Sequence, residues 1–385
     1  MIPLSIPHLA GNEWSYIKES LDSGWVSSAG PFVDRFEREI ARYTGAPHAV
    51  ACASGTAALH IALLLAGVGP EDEVIVPTLT FVATINAVRY TGAYPLFMDC
   101  DDFYCLDAEK TLDFLTQETV SGEGGVRNKR TGRRIAGLMP VHVFGNAAAL
   151  DLLSCTCRER GITVIEDAAE SLGTVYTSGA FSGKHTGAIG ELGCLSFNGN
   201  KIVTTGGGGM ILTSNAAMAA RAKYLTTQAK DDDLRFIHNE VGYNYRLTNL
   251  QAALGVAQLE QLPRFLETKA AHYAQYAEGL RNIRGLSLAP VPAYARNNHW
   301  LCSLRVNEGI YGCDRDALMR RLTACAIQSR PVWGLNHLQR PFAHCQAYRI
   351  ERATELWQTT LSLPSSAGLK AEEIQAVIAA LQQTT

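Results

Sequence analysis

Between Ala49 and Asp167 the chain alternates short apolar runs with longer helical patterns, and that alternation restricts it to one architecture. Ala49-Val50-Ala51-Cys52, Glu73-Val74-Ile75-Val76-Pro77, Ala93 to Asp99, Ile135 to Val143 and Ile162 to Asp167 read as strands. Helical periodicity follows each of the first four, over Ala57 to Leu65, up to Tyr90, over Ala108 to Leu115 and over Ala148 to Arg160. Such alternation predicts an α/β fold, a mostly parallel sheet covered on both faces. With 385 residues, 47% of them hydrophobic, the chain can form a large domain and a smaller one. A helix capped by Thr248 or Asn249 runs to about Leu262, and Pro263 begins another to about Asn282. Pro290, Pro292, the strand His299 to Leu304 and helices over Asp314 to Cys325 and Lys370 to Leu381 then change the pattern. The expected division is a large domain over 1–262 and a smaller C-terminal α+β domain over 263–385.

Ligands on such sheets bind at the carboxyl ends of the strands, and four candidate groups fall there. Ser54-Gly55-Thr56 joins a strand to a helix and offers backbone N–H groups and two hydroxyls to an anion. An ordinary helix cap is the simpler reading of that stretch alone. Phe81 follows a strand end, where a planar ligand could stack, although a lone aromatic is more often core. Asp167 closes the apolar run from Ile162, and Lys201 follows Ser196-Phe197-Asn198-Gly199-Asn200 just before the glycine run Gly206 to Gly209. A carboxylate that holds a proton on a pyridine nitrogen, and an amine that bonds to an aldehyde, are what pyridoxal 5′-phosphate asks of a protein. A surface lysine before a glycine turn is the plain alternative for the Lys201 segment by itself. The common placement of Ser54, Phe81, Asp167 and Lys201 favours a single site.

Other classes are disfavoured. A net charge of −3 predicts no nucleic-acid partner. Met1 to Pro7 lacks a basic region followed by an apolar core, so no secretory leader is expected. The longest apolar stretch, roughly Ala57 to Val68, contains His60 and is too short for a membrane span. Ten cysteines without metal-ligand spacing suggest reduced thiols, a cytoplasmic location and no metal site. Gly206 to Gly209 is no dinucleotide turn, because Ile211 stands at the third glycine and a strand follows. Gly183-Lys184 is no phosphate loop, because Ser178 and His185 occupy its other required positions. The basic segment Ser121 to Arg134 reads as a solvated hairpin or loop.

Along nearly its whole length the chain resembles the DegT/StrS-type aminotransferases, fold-type I pyridoxal-phosphate enzymes that act on nucleotide-linked keto-sugars. The residues that carry the resemblance are Ser23-Gly24-Trp25, Ser54-Gly55-Thr56, Pro77 to Phe81, Glu166 to Glu170, Gly193 to Phe197, Lys201 and Gly242 to Arg246. Ile2-Pro3-Leu4-Ser5 and Phe197 to Lys201 resemble the branch serving legionaminic-acid-type 4-amino-sugar pathways. The resemblance implies that Lys201 bonds to the cofactor and that Asp167 pairs with its ring nitrogen. It implies that Phe81 stacks on the ring and that Gly55, Thr56 and Ser196 bind its phosphate, with Ser54 and Asn198 completing the cofactor set. Glu170 takes a position often held by His or Gln near the phenolic oxygen. Asn244 resembles the residue that reaches the phosphate of a neighbouring subunit, which implies a homodimer with shared active sites. Many relatives carry an acid where this chain has Gly207. Sugar dehydratases of the same fold, another class in view, carry histidine at the lysine position. A non-catalytic cofactor-binding regulator would need an added module, and no segment here is spare.

The expected reaction moves an amino group from L-glutamate to C4 of a nucleotide-linked 4-keto-6-deoxy sugar, for surface-polysaccharide or nonulosonic acid biosynthesis. A UDP-linked 2-acetamido sugar is expected, because Gly207 leaves room for a bulky group; GDP-4-keto-6-deoxymannose is the runner-up. Trp25, His299, Arg330 and His337 are the candidate substrate residues. Asn298-His299-Trp300 and Arg330 to His337 offer cation, indole and imidazole to a diphosphate, a base and hydroxyls. The plain alternative is that Trp300 and Trp333 are core and Arg330 a surface charge.

Overall fold

In the computed structural model, which describes residues 1–232 and 234–383, eight strands form one sheet. Seven are β1 (His48–Cys52), β2 (Glu73–Pro77), β3 (Tyr94–Met98), β4 (Ile135–Leu138), β5 (Thr163–Asp167), β6 (Leu192–Ser196) and β7 (Gly209–Thr213). The order is β1-β7-β6-β5-β4-β2-β3, followed by the two-residue strand Ala347–Tyr348. Every pairing from β6 to Ala347–Tyr348 is parallel, whereas β7 runs antiparallel to both β6 and β1. The parallel strands are buried on both faces, which is why they read as continuous apolar runs. Successive side chains alternate between the two sides. Val74, Val76 and Ile165 pack with helices Gly55–Leu65 and Val82–Tyr90, while Ile75, Leu96 and Val164 pack with Ala108–Gln117 and Asp151–Arg160.

The C-terminal part contains a four-stranded antiparallel sheet of Leu286–Leu288, Cys302–Val306, Thr360–Leu363 and Arg330–Pro331. Its apolar side packs against helices Arg315–Ala324 and Ala371–Gln382. One helix of 32 residues, Asn249–Leu280, links the two parts, and a capping box at Thr248 starts it. The break expected at Pro263 does not occur, so the boundary expected at 262/263 falls inside this helix. A proline inside a helix costs about 3 kcal/mol. Leu259, Leu262 and Phe265 are all buried beside it, and each such side chain contributes about 1.5–3 kcal/mol. Packing therefore outweighs the lost hydrogen bond.

The basic segment forms the hairpin Thr119–Gly122 and Gly125–Asn128, and beyond it Arg134 Nη2 pairs with Asp72 at 2.6 Å. All ten cysteines are free thiols. Among the described residues no helix is long and apolar enough to cross a membrane.

Candidate active site

Strand β5 ends on two acids that face opposite ways, as a strand requires. Glu166 turns away from the cavity described below. It accepts backbone N–H bonds from Gly187, Ile189 and Gly190 and sits 2.9 Å from His142 Nε2. Burial opposes its charge, but His142 and these amides outweigh burial and hold its pKa below the usual carboxylate range. Asp167 turns into a cavity of about 330 Å³ at the carboxyl ends of the strands. Its Oδ2 accepts from Thr84 Oγ1 at 2.6 Å and its Oδ1 from the Ala169 amide at 3.1 Å. Burial pushes the Asp167 pKa up, against the pull of those donors and of the Lys201 charge.

One end of the cavity is the start of helix Gly55–Leu65. Ser54 caps it by accepting from the Ala57 amide at 3.1 Å. The first helical amides, those of Gly55 and Thr56, have no partner within the helix and are free for an anion. The cradle is closely built. A Cβ on Gly55 would stand 2.8 Å from Ser196 Cβ, and one on Gly209 would stand 2.4 Å from the Ser54 carbonyl oxygen. The glycine run thus lets β7 approach the helix start, which no larger residue at 209 would permit.

Lys201 enters from the loop between β6 and β7. Its Nζ lies 3.4 Å from Glu170 Oε1 and 4.0 Å from the centre of the Trp300 ring. Burial raises the Glu170 pKa and the Lys201 charge pulls it back. The other Glu170 oxygen accepts from the Phe144 amide at 2.9 Å. Phe81, 52% exposed at the start of helix Val82–Tyr90, forms another wall and contacts Trp333 edge-on at 6.2 Å between ring centres. The segment carrying Trp333 is pinned to the loop before Phe81, because Asn336 Nδ2 donates to the carbonyls of Thr78 and Thr80.

Ser54, Gly55, Thr56, Phe81, Asp167, Glu170, Ser196, Asn198 and Lys201 therefore meet in one cavity. The remaining candidates do not line it. Asn244 accepts from Arg246 Nη2 at 3.2 Å, and Trp25 is half-exposed with its carbonyl bonded to Asn249 Nδ2. His299 adopts a left-handed backbone and stacks on Tyr273 at 4.4 Å, where burial lowers its pKa to about 4. Arg330 is exposed on its short strand, and His337 Nδ1 sits 2.7 Å from Thr78 Oγ1. Sequence reasoning misses Thr84; its one signal is a hydroxyl a helical turn beyond Phe81. Trp300 and Trp333, open in the sequence between core and site, both line the cavity.

The cavity suits pyridoxal 5′-phosphate. It has an anion cradle, an aromatic wall, an amine and a buried carboxylate whose raised pKa a cationic ring nitrogen would relieve. Fold and site together define a pyridoxal-phosphate-dependent transferase. The model of the DegT/DnrJ/EryC1/StrS aminotransferase family matches residues 7–382, and the chain belongs to that family. It is 38% identical over 384 residues to a GDP-perosamine synthase of Caulobacter vibrioides, covering 99% of this chain and 98% of that one. It is 36% identical over 384 residues to the putative pyridoxal phosphate-dependent aminotransferase EpsN of Bacillus subtilis, covering 99% and 95%. The crystal structure of the aminotransferase TlmJ from Streptoalloteichus hindustanus superposes with a TM-score of 0.88 at 27% identity, covering 99% of this chain and 98% of that one. The protein is a pyridoxal-phosphate-dependent aminotransferase.

Proposed function

We propose that the enzyme transfers the amino group of L-glutamate to C4 of GDP-4-keto-6-deoxymannose, the perosamine-type reaction, within polysaccharide biosynthesis. The observation that carries this reading is the Caulobacter relative, a GDP-perosamine synthase alike over 99% of this chain. It displaces the UDP-linked 2-acetamido sugar as the first choice. That sugar remains the second reading because of Gly207, which lines the cavity and whose added Cβ would meet nothing nearer than Gln251 Nε2 at 3.7 Å. Loading the enzyme with pyridoxamine phosphate and adding each keto-sugar in turn separates the two. The GDP-sugar is expected to restore the cofactor's visible absorbance; restoration by the UDP-acetamido sugar alone would reverse the assignment.

Pyridoxal phosphate, when bound, withdraws electrons from the bond to be broken at the donor's Cα. Asp167 keeps the ring nitrogen protonated, an opposite charge of this kind being worth about 1–3 pKa units. Lys201 Nζ takes the Cα proton in the first half-reaction and delivers one to sugar C4 in the second. Ser54, Gly55, Thr56, Ser196 and Asn198 hold the phosphate end, and Phe81 fixes the ring plane. These anchors keep proton transfer at short range.

The reading includes a homodimer in which Asn244 serves the partner's site. Leu234, Phe236 and Val241 in the same segment are 85, 71 and 77% exposed, an apolar surface that a second copy would cover. Mixing Lys201→Ala chains with Asn244→Ala chains should recover part of the activity, since each heterodimer keeps one intact site. Absence of recovery, with heterodimers demonstrated by mass, counts against shared sites. The ten free thiols support a reducing, cytoplasmic compartment.

A further inference from the structure

Lys201 is flanked by two groups from different parts of the chain. One is the Glu170 carboxylate, 3.4 Å from Nζ, and the other is the face of Trp300, 4.0 Å from Nζ to the ring centre. Trp300 is far more firmly held than a gap-filling aromatic needs to be. It is 3% exposed, and its Nε1–H donates to the carbonyl of Asn200, the residue before Lys201, at 2.8 Å. Its own amide donates to Asn298 Oδ1 at 2.9 Å. Its carbonyl accepts from Lys269 Nζ at 3.1 Å and from Ser365 Oγ at 3.2 Å. Asn298, fully buried, also donates through Nδ2 to the Glu170 carbonyl at 2.8 Å. One amide side chain therefore sets the spacing between the two groups that flank the lysine.

We propose that Trp300 is a positioning residue for Lys201. Its indole face forms a rest for the amine whenever the amine is free, and its N–H fixes the turn that carries the lysine. An ammonium group over an indole face is attracted by the ring quadrupole, and indole is the strongest of the aromatic partners. The amine has three donors and four flexible carbons; without a rest it would sample the whole cavity. With one, it leaves from and returns to the cofactor end along a single short path, passing its extra proton to the Glu170 carboxylate 3.4 Å away before it bonds to the aldehyde with water as the leaving group. Trp300 itself neither bonds to the cofactor nor carries a proton.

The proposal rests on Lys201 being the bonding lysine, and the test separates the two. Full-length chain stripped of cofactor is mixed with pyridoxal phosphate, and bond formation at Lys201 is trapped over time with borohydride. Binding of pyridoxamine phosphate, which makes no bond to lysine, is measured alongside. In Trp300→Leu, capture of pyridoxal phosphate is expected to slow roughly tenfold, the scale of the rotamer freedom that a long side chain regains when the surface ordering it is removed. The pyridoxamine phosphate Kd should stay within about twofold. Trp300→Phe keeps a weaker ring but loses the bond to Asn200, and should slow capture roughly threefold. If Trp300→Leu does not fold, Trp300→Phe decides alone. Unchanged capture overturns the proposal, and so does a loss of pyridoxamine phosphate binding as large as the loss of capture rate, which would mean that Trp300 only shapes the cavity. A trapped adduct that persists in Lys201→Ala refutes the lysine assignment instead.

Discussion

Lys201→Ala is expected to lower turnover by roughly 10⁵-fold or more, the scale of removing a reacting group that no neighbour replaces. Among the described residues no second lysine lines the cavity. The buried Lys269 is engaged by the carbonyls of Trp300 and Ser365. The fold should survive. Lys201 belongs to a loop, and the carboxylate left behind, Glu170, already has a pKa raised by burial and can take up a proton. The melting temperature should therefore move by a few degrees at most, while the borohydride-reducible adduct disappears. A variant that keeps that adduct would assign the bond to another amine.

Asp167→Asn is expected to separate stability from activity. Asparagine keeps the shape and can still engage Thr84 and the Ala169 amide, but it cannot hold a cation on the ring nitrogen. Loss of one preorganised electrostatic partner costs roughly 10²–10³-fold in turnover. The cofactor-free protein should behave in the opposite way. Burial raises the folded-state pKa of Asp167 above its unfolded value, so the folded chain binds this proton more tightly than the unfolded chain. The Asp167 contribution to stability is then greatest below the unfolded carboxylate pKa of about 3.9 and declines as pH rises through the folded value. At neutral pH, above the unfolded pKa, burying this carboxyl is a liability that asparagine removes. Cofactor-free Asp167→Asn should melt at or above the wild-type temperature at pH 7, with the advantage shrinking toward pH 4. A variant that melts well below wild type at pH 7 would show that the charge is already compensated inside the protein.

With Asp167 in its proposed role beside the ring nitrogen, binding a protonated ring is expected to relieve the burial of its charge and stabilise the fold. Glu166 next to it needs no such partner. His142 and three amides already hold its charge, and it supports the strand end from the opposite face.

Local chemistry makes much of this arrangement legible in the chain itself. A strand that enters the covered sheet is written as an unbroken apolar run, and the residue that ends it is written beside it. Asp167, Phe81 and Ser54-Gly55-Thr56 can therefore be placed at strand ends from adjacent residues alone, as can the loop position of Lys201 before its glycines. Periodicity also yields the long helix from Asn249, though not its continuation through Pro263. A proline's local cost is readable, whereas the burial of Leu259, Leu262 and Phe265 that offsets it depends on distant helices. Lateral assembly is not readable. Nothing near Lys201 in the chain announces Trp300, whose ring nitrogen bonds to a carbonyl 100 residues away. Nothing near Asp167 announces Thr84, 83 residues before it. His299 and Trp300 are neighbours in sequence, yet the left-handed turn at His299 sends one ring to Tyr273 and the other to Lys201. Side-chain period and turn chemistry are local, so the order of residues is enough to say which groups stand at the ends of strands. Which of those groups share a cavity follows from strand order and from the return of the C-terminal segment, and both depend on packing across the whole chain.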